Sequence, residues 1–419
     1  MYQKIRLSNG VRVVLEKIPH VKSVSLGFWI KTGSINENQT NNGITHFIEH
    51  MLFKGTKNRT AKQIAESIDD IGGQLNAFTS KECTCYYAKV LDSHIDIGID
   101  VLTDMIFNST FNTTEIEKEK SVVLEEINMY EDSPEDNAHD LLSRTIFNGH
   151  SLGLPVLGNH QTVSSFTREM LMDYIKNNYT VENIVVSIAG NFNEEEIIEM
   201  LEEKFKHFTN KNNKQKLLDV PKFVTDTGLK HKDIEQLHLC IAFQGVPLRS
   251  DDYYSLLLMN TVFGGSMSSR LFQNIREDKG LAYSIFSYPS SYQQIGLFTI
   301  YAGINPSQLE KVIMLIKEEI GKIKKDGLTQ AELLKCKEQL KGNYILGLES
   351  TSSRMLSIGK SELFLEKIYS QKEVLQKIDN IKMEDIKNVI DKIFVLDNAS
   401  VVTVGKVDEK MDLSRLLKS

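Results

Sequence analysis

Hydrophobic and polar positions along the 419 residues follow two similar series, one in each half of the chain. The first half runs from an apolar, strand-like segment, VSLGFWIKTGSI, through a helix-like segment, GITHFIEHMLF, to an alternating segment, QLNAFTSKECTCYYAKVL. The second half repeats this order with LHLCIAFQGVPL, DYYSLLLMNTVF and SYQQIGLFTIYAGI. Each half ends on a β-rich segment after an asparagine, NIVVSIAGNF or NASVVTVGKV. The repeat predicts two tandem homologous domains.

A polar segment separates the two series. Residues 209–228, TNKNNKQKLLDVPKFVTDTG, lose the apolar periodicity and collect Asn, Lys, Asp and Pro, as exposed linkers do. We therefore predict an N-terminal domain over residues 1–215, a linker over 216–230 and a C-terminal domain over 231–419. In each half, alternating segments accompany long helical stretches such as HIDIGIDVLTDMIF and QLEKVIMLIKEEIGKI. This pattern favours an α+β fold in which helices cover a mostly antiparallel sheet.

The helix-like segment of the first half carries titratable side chains on one face. Its apolar residues recur with helical spacing and form the predicted core-facing stripe: Ile44, Phe47, Ile48, Met51 and Leu52. At about 100° per residue, His46, Glu49 and His50 fall on the other side of the helix and are predicted to face solvent or a cleft. Histidines four residues apart can bind one zinc ion together, with the glutamate held beside them. An accidental grouping on a solvated face is the alternative.

A zinc site of this kind needs a third ligand on another element. The best candidate lies in EIEKEKSVVLEEINMYED, in which the following apolar residues predict a buried stripe: Ile116, Val123, Ile127 and Tyr130. Glu119 and Glu126 are seven residues apart and therefore point the same way. From spacing alone, Glu126 is as readily a surface acid as a ligand.

Composition and charge limit the expected partners. The net charge of −7 argues against nucleic acid, whose phosphates attract clustered Lys and Arg. The N-terminus lacks an apolar stretch of signal-peptide length, and no run of about 18 apolar residues occurs, so we expect no membrane partner and predict a cytoplasmic protein. The four cysteines fit neither structural zinc spacings nor a disulfide scaffold, and we expect free thiols at Cys83, Cys85, Cys240 and Cys336.

Taken together, these motifs resemble the pitrilysin or inverzincin family of zinc metallopeptidases. The inverted motif H-x-x-E-H as HFIEH, the segment LNAFTSKECTCYY and the acidic segment EKSVVLEEI carry the resemblance. The size and the tandem halves resemble the subgroup of mitochondrial processing peptidase, in its catalytic type, and its bacterial relatives. The resemblance implies one Zn²⁺ per chain, with His46, His50 and Glu126 as ligands. It also implies that Glu49 is the general base and that Glu119 orients a ligand.

The resemblance further implies substrate-binding residues in both halves. Asn76 and Ala77 match positions on a strand edge that pairs with an extended substrate, and a plain sheet strand is the alternative. Arg276 and Tyr283, in IREDKGLAYS, match an Arg and a Tyr that hold the substrate carbonyl from the opposite side. An ordinary surface Arg and a half-buried Tyr are the alternative. The aligned helix DYYSLLLMNTVF has neither His nor Glu, so the second half is expected to bind no metal.

On this basis we predict a zinc-dependent endopeptidase that hydrolyses extended or unfolded peptides inside a closed chamber. One half carries the metal site and the other carries Arg276 and Tyr283. The resemblance implies that four such domains enclose the peptide, as in the larger fused members of the family, so a chain with two domains needs a partner, and we predict a homodimer. The alternative function is a non-catalytic scaffold or partner subunit of the same fold, although this chain keeps every predicted ligand and the base. The sequence leaves open the peptide substrate and whether the partner is an identical or a related chain.

Overall fold

The computed structural model describes residues 2–210, 219–408 and 411–418. Its strands are, in chain order, β1 (Tyr2–Arg6), β2 (Arg12–Lys17), β3 (Ser23–Ile30), β4 (Gln74–Thr79), β5 (Thr84–Leu91), β6 (Ile184–Gly190), β7 (Thr227–His231), β8 (Leu237–Gly245), β9 (Ala282–Ser291), β10 (Gly296–Ile304) and β11 (Ser400–Gly405). They form one six-stranded and one five-stranded sheet among the described residues.

Helices account for most of the remaining regular structure. The α-helices are, in chain order, α1 (Ile44–Leu52), α2 (Ala61–Asp69), α3 (Ile95–Asn108), α4 (Thr113–Asp132), α5 (Pro134–Ile146), α6 (His160–Ser165), α7 (Arg168–Asn178), α8 (Glu194–Phe205), α9 (Tyr253–Phe263), α10 (Leu309–Asp326), α11 (Gln330–Gly347), α12 (Thr351–Leu365), α13 (Gln371–Asp379), α14 (Met383–Ile393) and α15 (Leu413–Lys418). A π-helical segment covers Phe272–Asp278. The predicted α+β class is confirmed.

The chain forms two compact units. Unit 1 comprises Met1–Asn128, Leu154–Leu218 and Leu346–Ser370, and its sheet has the strand order β1-β2-β6-β3-β5-β4. Only the β2–β6 pair is parallel within this sheet, and β4 is an edge strand. The mostly antiparallel character predicted from the alternating pattern is therefore present in unit 1.

The sheet of unit 1 is buried on both faces. Because side chains alternate along a strand, Leu26 and Phe28 of β3 enter the main apolar core together with residues of α1, α3, α7 and α8. Gly27 and Trp29 point the other way, where α12 packs on β2, β3 and β6. Gly359 permits this close approach, since a Cβ atom there would lie 2.1 Å from the indole nitrogen of Trp29.

Unit 2 comprises Met129–Gly153, Asp219–Ile345 and Gln371–Ser419. Its sheet has the order β7-β11-β8-β10-β9, in which only the β7–β11 pair is parallel. Helix α5, from the first half of the chain, packs on β7, β8 and β11. Helix α14 packs on β8, α9 packs on β9, and α9 and α10 both contact α14. The strand and helix order predicted by the repeat is thus found in both units.

Neither unit is continuous along the sequence. The predicted domains, 1–215 and 231–419, place each half of the chain in a domain of its own. In the structure, α5 from the first half belongs to unit 2, and α12 from the second half belongs to unit 1. Each of these helices covers a face of a sheet whose strands come from the other half of the sequence. Residues 216–218 of the predicted linker lie outside the described residues, and the last residues of that linker already belong to β7.

Among the helices of the described ranges, none combines the length and the apolar character needed to cross a bilayer. The predicted cytoplasmic location stays a prediction. All four cysteines are buried and free, as expected from their spacing.

Candidate metal centre

Helix α1 is fixed at its N-terminus by a buried carboxylate. Glu37 accepts hydrogen bonds from the backbone N–H groups of Gly43 and Thr45, at 2.8 and 2.9 Å. Gly43 has φ +90°, and a Cβ atom there would lie 2.6 Å from the carbonyl oxygen of Leu157, so glycine is required at this position. The carboxylate satisfies amides that a helix N-terminus otherwise leaves unpaired. These contacts fix the start of α1 and therefore the direction in which its side chains project.

Helix α4 lies alongside the polar face of α1. Its buried apolar residues are Ile116, Val123 and Ile127. Tyr130, predicted to continue this stripe, is 46% exposed, so the buried stripe ends one turn before the helix does. Glu119 and Glu126 project from the neighbouring face and both contact residues of α1. His46 was predicted to face solvent or a cleft, but its exposed fraction is only 7%, and its Nε2 atom lies 3.6 Å from Oε2 of Glu126 on α4.

His46, His50 and Glu126 form a compact cluster. The Nε2 atoms of His46 and His50 each lie 3.6 Å from Oε2 of Glu126. One ligand atom from each residue lies within 4.8 Å of the other two. Tetrahedral zinc with bonds of about 2.0–2.1 Å holds its ligand atoms roughly 3.4 Å apart, which is close to the 3.6 Å that separates each Nε2 atom from Oε2 of Glu126.

The chemistry of the donor set also fits zinc. Two imidazole nitrogens and one carboxylate oxygen form a typical ligand set of a catalytic zinc site, which keeps a fourth position for water or substrate. Oε2 of Glu126 is buried and has no hydrogen-bond partner within the described residues. A cation at the centre of the cluster would satisfy this oxygen, which two imidazole nitrogens at 3.6 Å do not.

Glu119 links His50 to a lysine. One carboxylate oxygen, Oε1, lies 2.8 Å from Nδ1 of His50, and the other, Oε2, lies 2.7 Å from Nζ of Lys54. Glu119 is only 3% exposed. An acceptor at Nδ1 favours the tautomer in which Nδ1 carries the proton, so that Nε2 of His50 can bind a metal.

Burial and charge act differently on the two histidines. Burial, helped by the nearby His50, lowers the pKa of His46 to about 3, which keeps this imidazole neutral. Burial also acts to lower the pKa of His50. Its hydrogen bond to Glu119 and the surrounding acids outweigh burial and raise the pKa above its usual value. A metal ion binding to His50 would therefore compete with a proton.

Glu49 is held beside the cluster by a hydroxyl group. Thr79, the last residue of β4, donates a hydrogen bond through Oγ1 to Oε2 of Glu49. Burial raises the pKa of Glu49, and the Thr79 hydrogen bond opposes this shift. Sequence reasoning missed Thr79. Its position three residues after Asn76, on the strand singled out for substrate binding, was the available signal.

The predicted substrate-binding residues occupy both units. Asn76 and Ala77 lie on the edge strand β4, opposite Tyr87 and Tyr86, and Oδ1 of Asn76 accepts the Ala77 N–H at 2.8 Å.

Arg276 lies in the π-helical segment of unit 2, with its guanidinium carbon 4.6 Å from the ring centroid of Phe272. Tyr283 lies on β9 and is 75% exposed, more than a half-buried structural tyrosine would be. The catalytic roles of these residues stay predictions.

The fold and the cluster define a two-unit α+β protein with a candidate metal centre in its first unit. Residues 12–160 match the family described as Insulinase (Peptidase family M16), and residues 165–340 match the Peptidase M16 inactive domain. The chain belongs to peptidase family M16, and the predicted resemblance is confirmed.

Individual relatives span nearly the whole chain. The chain is 47% identical over 399 residues to the uncharacterized zinc protease YmxG of Bacillus subtilis, covering 95% of this chain and 97% of the relative. An uncharacterized zinc protease of Streptomyces coelicolor is 37% identical, covering 92% of this chain and 86% of the relative. The crystal structure of a protease from Helicobacter pylori has a TM-score of 0.87 at 24% identity, over 97% of this chain and 99% of that one, and supports the fold.

Proposed function

We propose that this protein is a zinc-dependent endopeptidase that cleaves extended or unfolded peptides. The observation that carries the proposal is the convergence of His46, His50 and Glu126, with Glu49 beside them. The names of the relatives, which call them zinc proteases, support the same chemistry. We assign one zinc ion per chain, since among the described residues only this group of His, Cys, Asp and Glu side chains could hold a metal.

The residues of the site have distinct roles in this proposal. Bound zinc would supply a Lewis acid that polarises the scissile carbonyl and makes water a stronger acid near neutral pH. Glu49 accepts the proton of the attacking water and passes it to the leaving amine. The hydroxyl of Thr79 donates a hydrogen bond to Oε2 of Glu49, and in this proposal Oε1 is the oxygen that accepts the proton. Glu119 holds the ring of His50 by its Nδ1 atom.

The substrate is proposed to bind as an added strand. Strand β4 is at the edge of the unit 1 sheet, and main-chain pairing on such an edge selects extended peptides with little demand on their sequence. Asn76 and Ala77 lie on this strand, and its last residue, Thr79, touches Glu49. The strand that would bind the peptide therefore also holds the proposed base.

Variants of two glutamates separate metal binding from chemistry. We expect Glu49→Gln to keep zinc and the fold while losing hydrolysis by about 10²-fold or more, because it removes the proton acceptor. Glu126→Gln should lose zinc affinity, since it removes a ligand. Glu125→Gln, an exposed neighbour, is the matched control and should behave as wild type. Metal analysis and cleavage of a mixed peptide library provide the measurements.

Each measurement tests a different part of the proposed function. A fully active Glu49→Gln enzyme would refute the proposed mechanism, and undiminished zinc affinity in Glu126→Gln would remove that residue from the ligands. A zinc-loaded wild-type protein that cleaves nothing in the library would favour the non-catalytic scaffold function instead.

We further propose a homodimer in which Arg276 and Tyr283 of one chain act at the metal centre of the other. Support comes from the exposure of both side chains and from the presence of a single candidate metal cluster in the described part of each chain. Mixing Glu49→Gln with an Arg276→Ala, Tyr283→Phe double variant should restore part of the activity, because one intact site forms in each mixed dimer. Subunit exchange without any recovery would contradict sharing of sites.

A further inference from the structure

We propose that Lys54 is a positioning residue for the metal centre: it holds the carboxylate of Glu119 in the orientation that accepts the Nδ1 proton of His50. This inference rests on the zinc site of the proposed function, but on its ligand geometry rather than on peptide hydrolysis. It assigns a role to a lysine that sequence reasoning did not single out.

The two oxygens of the Glu119 carboxylate contact two different side chains of the segment 50–54. Oε1 faces His50 at 2.8 Å and Oε2 faces Lys54 at 2.7 Å. Lys54 follows His50 by four residues, and its own N–H bonds to the carbonyl of Met51 at 3.1 Å, so the end of α1 fixes its backbone. The lysine side chain is 31% exposed and that of Glu119 is 4% exposed. The partly exposed ammonium group of Lys54 is thus paired with the nearly buried carboxylate of Glu119.

A buried carboxylate needs this compensation. An ionised acid without water or a cation nearby is costly, and removal of one partner of a buried ion pair leaves an uncompensated charge. Without Lys54, Glu119 would gain by turning towards solvent, and such a turn would break its hydrogen bond to His50. The imidazole ring would then lose the contact that keeps its Nε2 atom directed at Glu126.

The contacts of Glu119 with His50 and Lys54 also connect α4 to the end of α1 and the residues that follow it. His50 lies in the last turn of α1 and Lys54 lies two residues beyond its end, and both contact one side chain of α4. Glu126 follows Glu119 by seven residues on α4, about two helical turns or roughly 10 Å further along. Within the described residues, Nδ1 of His46 is buried and has no hydrogen-bond partner. The Glu119–Lys54 pair therefore supports His50 by a hydrogen bond at Nδ1, whereas His46 has no such bond within the described residues.

The test compares zinc affinity among variants of the full-length chain. Lys54→Met keeps most of the side-chain volume and removes the charge, Lys54→Arg keeps the charge, and Lys57→Met removes a nearby exposed lysine. Competition with a chromogenic chelator measures the zinc dissociation constant. We expect Lys54→Met to weaken zinc binding about 10- to 100-fold, as loss of a side chain that orients a metal ligand does. Lys54→Arg should largely restore zinc binding, and Lys57→Met should have no effect on it.

A second measurement reports geometry. Cobalt(II) in place of zinc gives visible absorption bands that depend on ligand arrangement, and these should change in Lys54→Met but not in Lys57→Met. If Lys54→Met does not fold, as judged by circular dichroism, Lys54→Gln carries the same expectation. Wild-type zinc affinity and cobalt spectrum in a folded, uncharged variant would overturn the inference. A wild-type protein that binds zinc but cleaves no peptide would instead refute the proposed function and leave the Lys54 effect measurable.

Discussion

Replacing Gly359 by alanine tests whether α12 packs on the sheet of unit 1. A Cβ atom at this position would lie 2.1 Å from Nε1 of Trp29 and 2.7 Å from Oγ of Ser187. These two atoms are hydrogen-bonded to each other at 2.9 Å, and Trp29 is 2% exposed, so neither side chain has free space into which it can move. The helix must therefore shift away from the sheet, or the indole must be displaced.

The expected cost follows from two opposing effects. Overpacking of a tight core costs up to about 3 kcal/mol. Alanine in a helix interior is more favourable than glycine by about 1 kcal/mol. We therefore expect Gly359→Ala to lower the free energy of unfolding of unit 1 by about 2 kcal/mol. With a urea dependence of about 2 kcal/mol/M, the midpoint of unfolding should fall by about 1 M.

The protein provides its own probe for this assay. Trp29 is the single tryptophan of the chain, so its fluorescence during urea unfolding reports unit 1 directly. Gly321→Ala in α10 is the matched control, because no atom lies within 4 Å of the added Cβ there. By circular dichroism this control should be as stable as wild type or more stable by up to about 1 kcal/mol. An unchanged Trp29 transition in Gly359→Ala would show that α12 does not lie against β3.

Three further predictions concern the base, the response to pH and the metal. Thr79→Val should lower kcat by about 10-fold or more with zinc affinity unchanged, and Thr79→Ser should restore it, because the hydroxyl positions Glu49. Burial lowers the pKa of His139, so that below about pH 6.5 the unfolded chain binds a proton that the folded chain does not. The free energy of unfolding should therefore fall as the pH drops below about 6.5, and urea unfolding should show a smaller fall for His139→Gln. Zinc at about 1,000 times its dissociation constant should stabilise unit 1 by about 4 kcal/mol in the Trp29 transition, and a chelator or Glu126→Gln should abolish this gain.

The geometry of the candidate site could be predicted where local periodicity determines it. Residues four apart on a helix share a face, which is why His46 and His50 were found together, and Glu119 and Glu126 share a face for the same reason. The edge position of the strand with Asn76, which the structure shows, was implied by the family resemblance, because the alternating pattern alone fits a plain sheet strand equally well. The shared helix faces depend on short stretches of chain whose geometry is nearly independent of the rest of the fold.

Contacts between distant stretches could not be predicted in this way. The bond from Thr79 to Glu49 and the ion pair of Lys54 with Glu119 each join separate elements, and nothing in the local pattern specifies such partners. The exchanged helices were missed for a related reason. Hydrophobic periodicity can indicate that a helix has a buried face, but it does not specify which sheet buries that face, so the place of α12 could not be derived from the sequence.

The place of α12 in unit 1 also determines when that unit can be completed on the ribosome. All six strands of its sheet have been synthesised once Gly190 emerges, but the helix that covers Trp29 ends only at Leu365. At about 5 to 20 residues per second, the nascent sheet waits roughly 9 to 35 s with one apolar face uncovered. During that interval the growing chain offers a surface for chaperones or for aggregation, and a chain whose synthesis stops before α12 has an incomplete first unit.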